Sequence, residues 1–303
     1  MYNKHLETFI CVADLGSFSK AAEALYISST AVIKQINLLE QELNLQLFKR
    51  THRGISLTNA GRSIYVDAKY MIQYSKDSLT RANNAMQSEE KIIRIGSSLM
   101  TPAQFILDIW PKIKEFCPDI KFKIVPFENT PENAREILKN LGTNIDIVSG
   151  WFDESFLLNR NCAALKLYDE PICCALSVNH RLAFKDSIKI SDLYGENVML
   201  IRRGWNKYTD ALRDELWTEH PDVNIIDVQF FNVDVFNQCE SSSDVLIAFG
   251  KWDNVHPLLK IVPIEWDFRI PFGIFHSPKP SSSVLEFLTA VSKVYDITYQ
   301  KQM

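Results

Sequence analysis

The strongest constraint on the fold of this chain is a pair of short helices joined by a tight turn. Apolar residues at helical spacing predict a first helix that ends near Gly16. Ser17 or Ser19 can cap a second helix that ends at Leu25, and a three-residue turn leads to a third helix ending near Leu43. Small alanines at positions 21 and 22 allow the helices to cross closely. This arrangement is typical of a helix-turn-helix.

The third helix has one apolar face and one mainly polar face. The predicted buried stripe steps by four, three and four residues, and consists of Val32, Ile36, Leu39 and Leu43. The opposite face carries the candidate DNA-reading residues Ser29, Thr30, Ile33, Lys34 and Asn37. A recognition helix displays such groups to base edges. An ordinary solvated helix face has the same pattern, so the pattern alone leaves both interpretations open.

A basic stretch follows the third helix. The net charge is −4, yet residues 1–62 contain seven basic and five acidic side chains. Lys49, Arg50 and Arg53 lie in a segment without acids, which ends in the apolar run 55–57. We interpret this segment as a β-wing whose cations lie beside a nucleic-acid backbone or in a minor groove. A solvated loop is the alternative.

These residues together resemble the DNA-binding end of LysR-type transcriptional regulators. The matching positions are Leu6, Phe9, Gly16–Leu25, Ala31–Val32, Gln35–Ile36, Leu39–Glu40, Leu43, Leu47–Arg50, Arg53–Thr58 and Ala60–Gly61. The resemblance implies that the third helix enters the major groove of double-stranded DNA and that Arg53 and its neighbours form the wing. It also implies inverted-repeat promoter sites. We expect a cytoplasmic protein because the start of the chain has no apolar run like a secretory signal and no segment is apolar enough to span a membrane.

The chain departs from the family pattern at three places. Ser29-Thr30 replaces the usual Gln-Pro, Ile33 replaces a DNA-facing serine, and Asn44 replaces a glycine. Ile33 could contact a thymine methyl group or pack against the wing. The departures concern which operator is preferred and leave the expected fold unchanged.

A long helix is predicted from a cap at Thr58 to about Gln87. One apolar seam runs along it, made by Ile64, Ala68, Met71, Ser75, Leu79, Ala82 and Met86. So narrow a seam suggests a partner helix, and the family resemblance favours a dimerising linker in a homodimer or homotetramer. Packing on the chain's own C-terminal domain is the alternative.

The remainder alternates strands with helices, which predicts a mostly parallel, helix-covered sheet. The chain crosses between two lobes near Pro171–Val178 and near Ile264–Pro271. The layout resembles the effector domain of the same family, which is similar to type 2 periplasmic solute-binding proteins. We therefore expect a multi-domain chain with a winged helix-turn-helix head (1–58), a linker helix (59–89) and a two-lobed α/β effector domain (90–303). Lobe 1 covers about 90–168 and 268–303, and lobe 2 about 169–267.

Polar and aromatic residues that follow predicted strands should line the cleft between the lobes. The candidate effector-binding residues are Ser97, Ser98, Thr101, Glu128, Gly150, Trp151, Arg202 and Arg203. The two arginines and a helix N-terminus near Thr101 suggest a small polar or carboxylated ligand. Each residue could instead be a cap or part of a solvated loop.

No motif of an enzyme accompanies this pattern. We find no nucleophile elbow, metal-ligand spacing, phosphate-binding glycine loop or dinucleotide fingerprint, and expect no cofactor and no metal. No segment has the apolar length that spans a membrane. The six cysteines show no CxxC pair, which favours buried thiols in a reducing compartment. A ligand-binding or thiol-sensing protein whose head makes only protein contacts is the alternative function.

Overall fold

Three helices and a hairpin open the chain, within the residues that the computed structural model describes (2–51, 54–86 and 91–298). The elements are α1 (His5–Leu15), α2 (Phe18–Leu25), α3 (Ser29–Leu43), β1 (Phe48–Thr51), β2 (Gly54–Leu57) and α4 (Asn59–Met86). Strands β1 and β2 are antiparallel, with Phe48 opposite Leu57. Residues 1–88 form one structural unit, called the head unit below, and residues 89–303 form the other.

Local hydrogen bonds explain where the helices of the head unit begin and end. Ser17 Oγ accepts the N–H of Lys20 at 3.4 Å and so caps α2, while Ser28 Oγ accepts the N–H of Ala31 at 3.2 Å and caps α3. Helix α3 ends at Asn44, which has a φ of 51°. Asparagine tolerates this left-handed conformation better than most residues, so it can replace glycine there.

The predicted stripe on α3 is buried over most of its length. Val32, Ile36 and Leu39 lie in the head core, but Leu43 is 39% exposed and its predicted burial is wrong. The chain turns at Asn44, immediately after Leu43, and that side chain stays partly exposed. The Glu40 carboxylate accepts the N–H groups of Leu47 and Phe48 at 2.6 and 3.1 Å, which fixes the hairpin against α3.

The apolar seam of α4 divides into two parts. Ala68, Ile72 and Ser75 are buried, and Ala68 and Ile72 belong to the core of the helix-turn-helix. Met71 and Leu79 are at least half exposed. Neither alternative foreseen for the seam, a partner helix or the chain's own C-terminal domain, describes its first half, which packs on the head. The first half of the hydrophobic face of α4 therefore stabilises the head, and Leu79 in the second half is exposed for another contact.

The second unit is an α/β structure. Its elements are β3 (Ile92–Ser97), α5 (Gln104–Phe116), β4 (Lys121–Pro126), α6 (Pro131–Lys139), β5 (Ile147–Trp151), α7 (Glu154–Asn159), β6 (Ala163–Ser177), β7 (Asn197–Ile201), α8 (Lys207–Glu219), β8 (Asn224–Val228), α9 (Val233–Ser241), β9 (Val245–Phe249), β10 (Leu259–Pro263), β11 (Arg269–His276) and α10 (Ser282–Val294).

Strand β6 joins two lobes. It pairs with β11 as far as Pro171, and from Ile172 onward it pairs with β9 and β10. We call lobe 1 the strands in the order β4-β3-β5-β11 together with the first part of β6, and lobe 2 the rest of β6 with β9, β7, β8 and β10. The chain returns to lobe 1 between Pro263 and Arg269. The two-lobed α/β architecture expected from the sequence is confirmed.

The strand pairing is more mixed than predicted. Strand β3 is parallel to β4 and β5, and β7 is parallel to β8 and β9, as alternating strands and helices imply. Every pairing of β6 and β11 is antiparallel. These two strands carry the chain across and back, so their directions oppose those of the neighbours that they join. Neither the length of β6 nor the existence of α7 was foreseen.

Most of the buried side chains form a continuous core under the sheet in both lobes. A smaller apolar cluster in lobe 1 lies between α6, α7 and the sheet, and includes Leu138, Val148, Phe156 and Phe275. None of the described helices is both long enough and apolar enough to cross a bilayer.

Gly61 allows α4 to lie close to the segment before the hairpin. A Cβ atom at this position would be 2.1 Å from the carbonyl oxygen of Leu47. We predict that Gly61→Ala lowers the free energy of unfolding of the head unit by about 1–3 kcal/mol, because either the helix or the segment must shift. Urea unfolding of the full chain, followed by circular dichroism, measures this.

The matched control is Ser63→Ala, on an exposed position of the same helix. It should change the free energy of unfolding by less than about 0.5 kcal/mol. Equal stability of the two variants would contradict the close approach at Gly61.

Candidate functional site

The outer face of α3 is the candidate nucleic-acid interface. Ser29, Thr30, Lys34 and Asn37 are exposed, whereas the stripe on the other side of the helix is buried. Thr30 Oγ1 donates to Ser28 Oγ at 3.2 Å, so the hydroxyl groups at the N-terminus of α3 lie together. A face of hydroxyl, ammonium and amide groups offers both donors and acceptors to base edges.

Ile33 lies in the middle of this face and is half-buried. It is not among the side chains that pack on the head core, which include Ile55 and Leu57 of the hairpin. A contact with a thymine methyl group and packing against the wing both stay predictions for Ile33.

The hairpin places part of the predicted wing. Lys49 is exposed on β1 opposite Ser56, and the backbone of Arg50 pairs with Ile55. The side chain of Arg50 and the whole of Arg53 lie outside the described residues.

An aromatic recess opens where the two lobes meet. Its lobe 1 side is made by the ends of β3, β4 and β5 with α6 and α7, and its lobe 2 side by the segments after β7, β8 and β9. The aromatic side chains that line it are Phe127, Trp151, Phe156, Trp205, Phe230, Phe231, Trp252 and Phe275. Three of the predicted effector residues, Thr101, Gly150 and Trp151, line this recess.

Gly150 is required by the packing behind the recess. A Cβ at Gly150 would be 2.7 Å from Cε2 of Phe275, so glycine leaves room for this ring. Ser97 and Ser98 lie next to the recess but are occupied by local bonds: Ser97 Oγ accepts the N–H of Ala103 at 3.1 Å, and Ser98 Oγ lies 2.8 Å from Thr101 Oγ1.

The other three predicted effector residues lie away from the recess. Glu128, Arg202 and Arg203 are exposed and do not line it. Arg203 forms an ion pair with Asp214 on α8, because the turn after β7 directs its side chain outward along that helix. The expectation that Arg202 and Arg203 supply positive charge to the cleft is therefore wrong.

The cation that does line the recess is Arg160, which the sequence did not indicate. Arg160 follows α7, and its guanidinium carbon lies 3.7 Å from the centre of the Phe156 ring. Its Nε is buried and has no hydrogen-bond partner in the described part of the chain. A six-residue helix gives too little periodicity to predict, so no sequence signal placed Arg160 at the recess.

Direct hydrogen bonds connect the two lobes around the recess. Trp252 Nε1 donates to the Met100 carbonyl at 3.0 Å, and Asn129 Nδ2 donates to the Phe231 carbonyl at 2.9 Å. The buried Asp153 carboxylate accepts the N–H of Lys207 at 2.7 Å. These bonds fix the separation of the lobes in this conformation.

A buried carboxylate lies where β6 changes partners. Glu170 is 5% exposed and accepts Trp151 Nε1 with one oxygen and the N–H of Lys251 with the other, both at 2.9 Å. Burial is the largest influence and raises the pKa of Glu170, although the two donors act in the opposite direction. Glu170 thus ties lobe 1 to lobe 2 at the crossing point.

A second, more polar recess lies beside the first. It shares Met100, Thr101 and Trp151 with the aromatic recess and is otherwise lined by residues that include Asp108, Lys251 and Asp253. Both positive and negative side chains line this recess, so its lining does not favour a ligand of one charge over the other.

The cysteines lack the properties of redox sensors. Cys11 is half-buried, the other five are buried, and none forms a disulfide. Burial raises the pKa of each thiol, to about 11 for Cys162 and Cys173. Protonated thiols are poor nucleophiles, which disfavours the thiol-sensing alternative. Among the described residues, no group of three or more histidines, cysteines and carboxylates could hold a metal ion.

Comparison with known families decides between the interpretations of the head. Residues 3–62 match the model of the bacterial regulatory helix-turn-helix protein, lysR family, and residues 87–231 match the LysR substrate binding domain. The chain belongs to the LysR family of transcriptional regulators. It is a DNA-binding regulator whose activity responds to a small effector, and it is not an enzyme.

The LysR assignment agrees with individual relatives. An uncharacterized HTH-type transcriptional regulator of Methanocaldococcus jannaschii, MJ0300, is 30% identical over 96% of this chain and 98% of the relative. The crystal structure of CbnR, a LysR family transcriptional regulator, is 17% identical with a TM-score of 0.67, covering 97% of this chain and 99% of CbnR. CbnR complexed with its target DNA has a TM-score of 0.63 at the same identity and coverage.

Glu170→Gln tests the tie between the lobes of this LysR regulator. An amide has one acceptor oxygen, so one of the two donors loses its partner, which lowers the free energy of unfolding by about 1–3 kcal/mol. Because the pKa of Glu170 is raised on folding, its contribution to stability is complete below the ordinary value of 4.5 and is lost as the pH rises through the folded pKa. The stability gap between wild type and variant should therefore widen as the pH falls from 7 towards 4.5.

Urea unfolding at several pH values gives both quantities. Asp169→Asn is the control, because Asp169 is exposed and pairs with Lys166 on the surface. A stability gap for Glu170→Gln that is independent of pH would contradict the raised pKa of Glu170.

Proposed function

We propose that this regulator reads operator DNA with the outer face of α3. Ser29, Thr30, Ile33, Lys34 and Asn37 contact base edges in the major groove. Lys49, Arg50 and Arg53 of the wing bind the neighbouring backbone or minor groove. The observation that carries this proposal is the division of α3 into a face buried by Val32, Ile36 and Leu39 and an exposed polar face.

We further propose that the effector binds in the aromatic recess between the lobes. Thr101, Gly150 and Trp151 contribute from lobe 1, with Trp205 and Phe231 from lobe 2. A ligand held by both lobes changes their separation, and this change alters the geometry of the DNA-binding heads. Ser97 and Ser98 support the loop that carries Thr101.

The exposed apolar part of α4 is the proposed surface for pairing two copies of the chain. Val66, Tyr70, Met71, Tyr74 and Leu79 are each at least half exposed, although a helix of a soluble protein normally buries such residues. Pairing through this face yields a homodimer or a pair of dimers that presents two heads to an inverted repeat. A regulator that binds promoter DNA acts in the cytoplasm, where chromosomal DNA is accessible.

In this proposal the chain has three functional regions: the DNA-binding head (1–58), the linker helix (59–89) and the effector domain (90–303). Strand pairing supports a small adjustment within the third region, since β6 changes partners between Pro171 and Ile172. Lobe 1 then extends to 171 rather than 168.

A gel shift combined with a thermal screen of metabolites tests the proposed regulation. Duplexes selected by the full chain from a random pool serve as the probe in a gel shift, and small metabolites are screened for a rise in melting temperature. A metabolite that raises the melting temperature should also change the affinity for the selected duplex or the size of its protected region. Ligands that stabilise the protein without changing either would refute the link between the recess and the head.

Two substitutions in the head should weaken DNA binding in different ways. Arg53→Ala removes a phosphate contact, so affinity falls for selected and random duplexes alike and the slope of log K against log salt falls by about 1. Asn37→Ala removes a base contact and costs about 1–3 kcal/mol for the selected duplex only. Fluorescence anisotropy at several salt concentrations separates the two effects, and an Asn37→Ala variant that keeps full selectivity would remove Asn37 from the interface.

The double variant Val66→Glu, Tyr70→Glu places two charges on the exposed face of α4. We expect its dimer dissociation constant to rise at least tenfold, since desolvating a carboxylate at an interface is costly. Analytical ultracentrifugation measures the change. Lys69→Glu, beside the same face, is the control for added charge, and equal weakening by both variants would argue against this apolar face as the contact.

A further inference from the structure

A half-buried cation, Arg160, lies at the aromatic recess. Arg160 lines the recess and its Nε is buried without a hydrogen-bond partner among residues 2–51, 54–86 and 91–298. The same residues provide no ion pair to Arg160. Burial is the main influence that lowers the pKa of Arg160, but a guanidinium remains charged at neutral pH.

The acidic group whose charge acts on Arg160 is Asp153, which raises the pKa of the guanidinium but forms no hydrogen bond with it. Asp153 Oδ1 accepts the N–H of Phe156 and its Oδ2 accepts the N–H of Lys207, each at 2.7 Å. Arg135 on α6 adds a second positive charge near the guanidinium, which further disfavours an uncompensated Arg160. Removing a cation from water without an ion pair costs free energy, so an anionic ligand beside the half-buried Arg160 gains a favourable charge contact.

Apart from Thr101 and Asn129, the rest of the recess is apolar or aromatic. Ala134, Ile137, Leu138 and Val148 form its floor in lobe 1, and aromatic rings from both lobes form its walls. Phe156 covers one side of the guanidinium, at 3.7 Å from ring centre to guanidinium carbon, which holds the Arg160 head group in place. Such walls favour a flat or apolar body over a sugar or a polar amino acid.

We infer that the effector of this regulator is an aryl monocarboxylate, whose carboxylate pairs with Arg160 and whose ring lies among Phe127, Phe156 and Trp205. This inference rests on the proposed effector recess and adds to it the chemical class of the ligand. Among the residues that line the recess, Arg160 is the charged one, which accounts for a single carboxylate on the ligand.

Matched acid and amide pairs test the inference on the full chain. Calorimetric titration with phenylacetate and indole-3-acetate, each against its amide, should show the acids binding at least about tenfold more tightly. Acetate, which has the charge but no ring, should show no measurable binding. Equal affinity for acids and amides, or no binding of either aryl acid, would overturn the assigned class.

Arg160→Met removes the charge and keeps the length of the side chain. In this variant the acids should bind as weakly as the amides do, while the affinity for the amides is unchanged. The amide titration also reports whether the recess is intact, so loss of folding is not mistaken for loss of charge. Arg203→Gln is the matched control, since Arg203 pairs with Asp214 outside the recess and its removal should leave both affinities unchanged.

A third variant separates this inference from the proposed recess itself. Ala134→Trp fills the recess from α6 without touching its charge. If it abolishes binding of ligands that show no preference for the acid, the recess is correct and the aryl monocarboxylate is wrong. If it leaves acid binding intact, the ligands bind elsewhere, and both the recess and the inference fail.

Discussion

Strand β6 is the constraint on which the second unit depends. The first part of β6 pairs with β11, and its second part pairs with β9 and β10. Because the strand is continuous, the register of one lobe fixes the register of the other. A slip of one residue would exchange the two faces of the strand. It would also remove the Glu170 carboxylate from Trp151 and Lys251, its donors in the two lobes. The register of β6 and the hydrogen bonds of Glu170 therefore depend on each other.

Sequence reasoning works well for the head because its signals are local. Helix boundaries follow from signals within a few residues, as at Gly16 and Ser17, and the buried stripe of α3 follows from its periodicity except at Leu43. The same logic fails where a long-range contact decides. The seam on α4 was correctly recognised as apolar, yet its first half is covered by the head, because Gly61 lets the helix lie against the segment around Leu47. Periodicity indicates that a face is buried and gives no information about what covers it.

The recess shows a different limit. Residues at the ends of strands, such as Thr101, Gly150 and Trp151, were predictable because parallel strands bring their carboxyl ends together. Arg202 follows a strand too, but the turn after β7 directs it to solvent, and no sequence rule gives that direction. Arg160 was missed for the converse reason, since it belongs to a helix too short to recognise. The sequence thus placed the positive charge of the cleft in lobe 2, whereas Arg160 lies in lobe 1. Both lobes contribute aromatic side chains to the lining.

Asp153 has a role in both lobes that affects how they move. One oxygen begins α7, the helix that leads to Arg160, and the other accepts the first N–H of α8 across the cleft. Separating the lobes therefore removes an anion from the positive end of α8 and loosens the carboxylate that orients α7. Lobe separation and the orientation of the guanidinium are then linked quantities, and linkage is reciprocal. A molecule that holds Arg160 in its present position stabilises the closed arrangement of the lobes. By the same free energy, a partner that separates the lobes weakens the binding of that molecule.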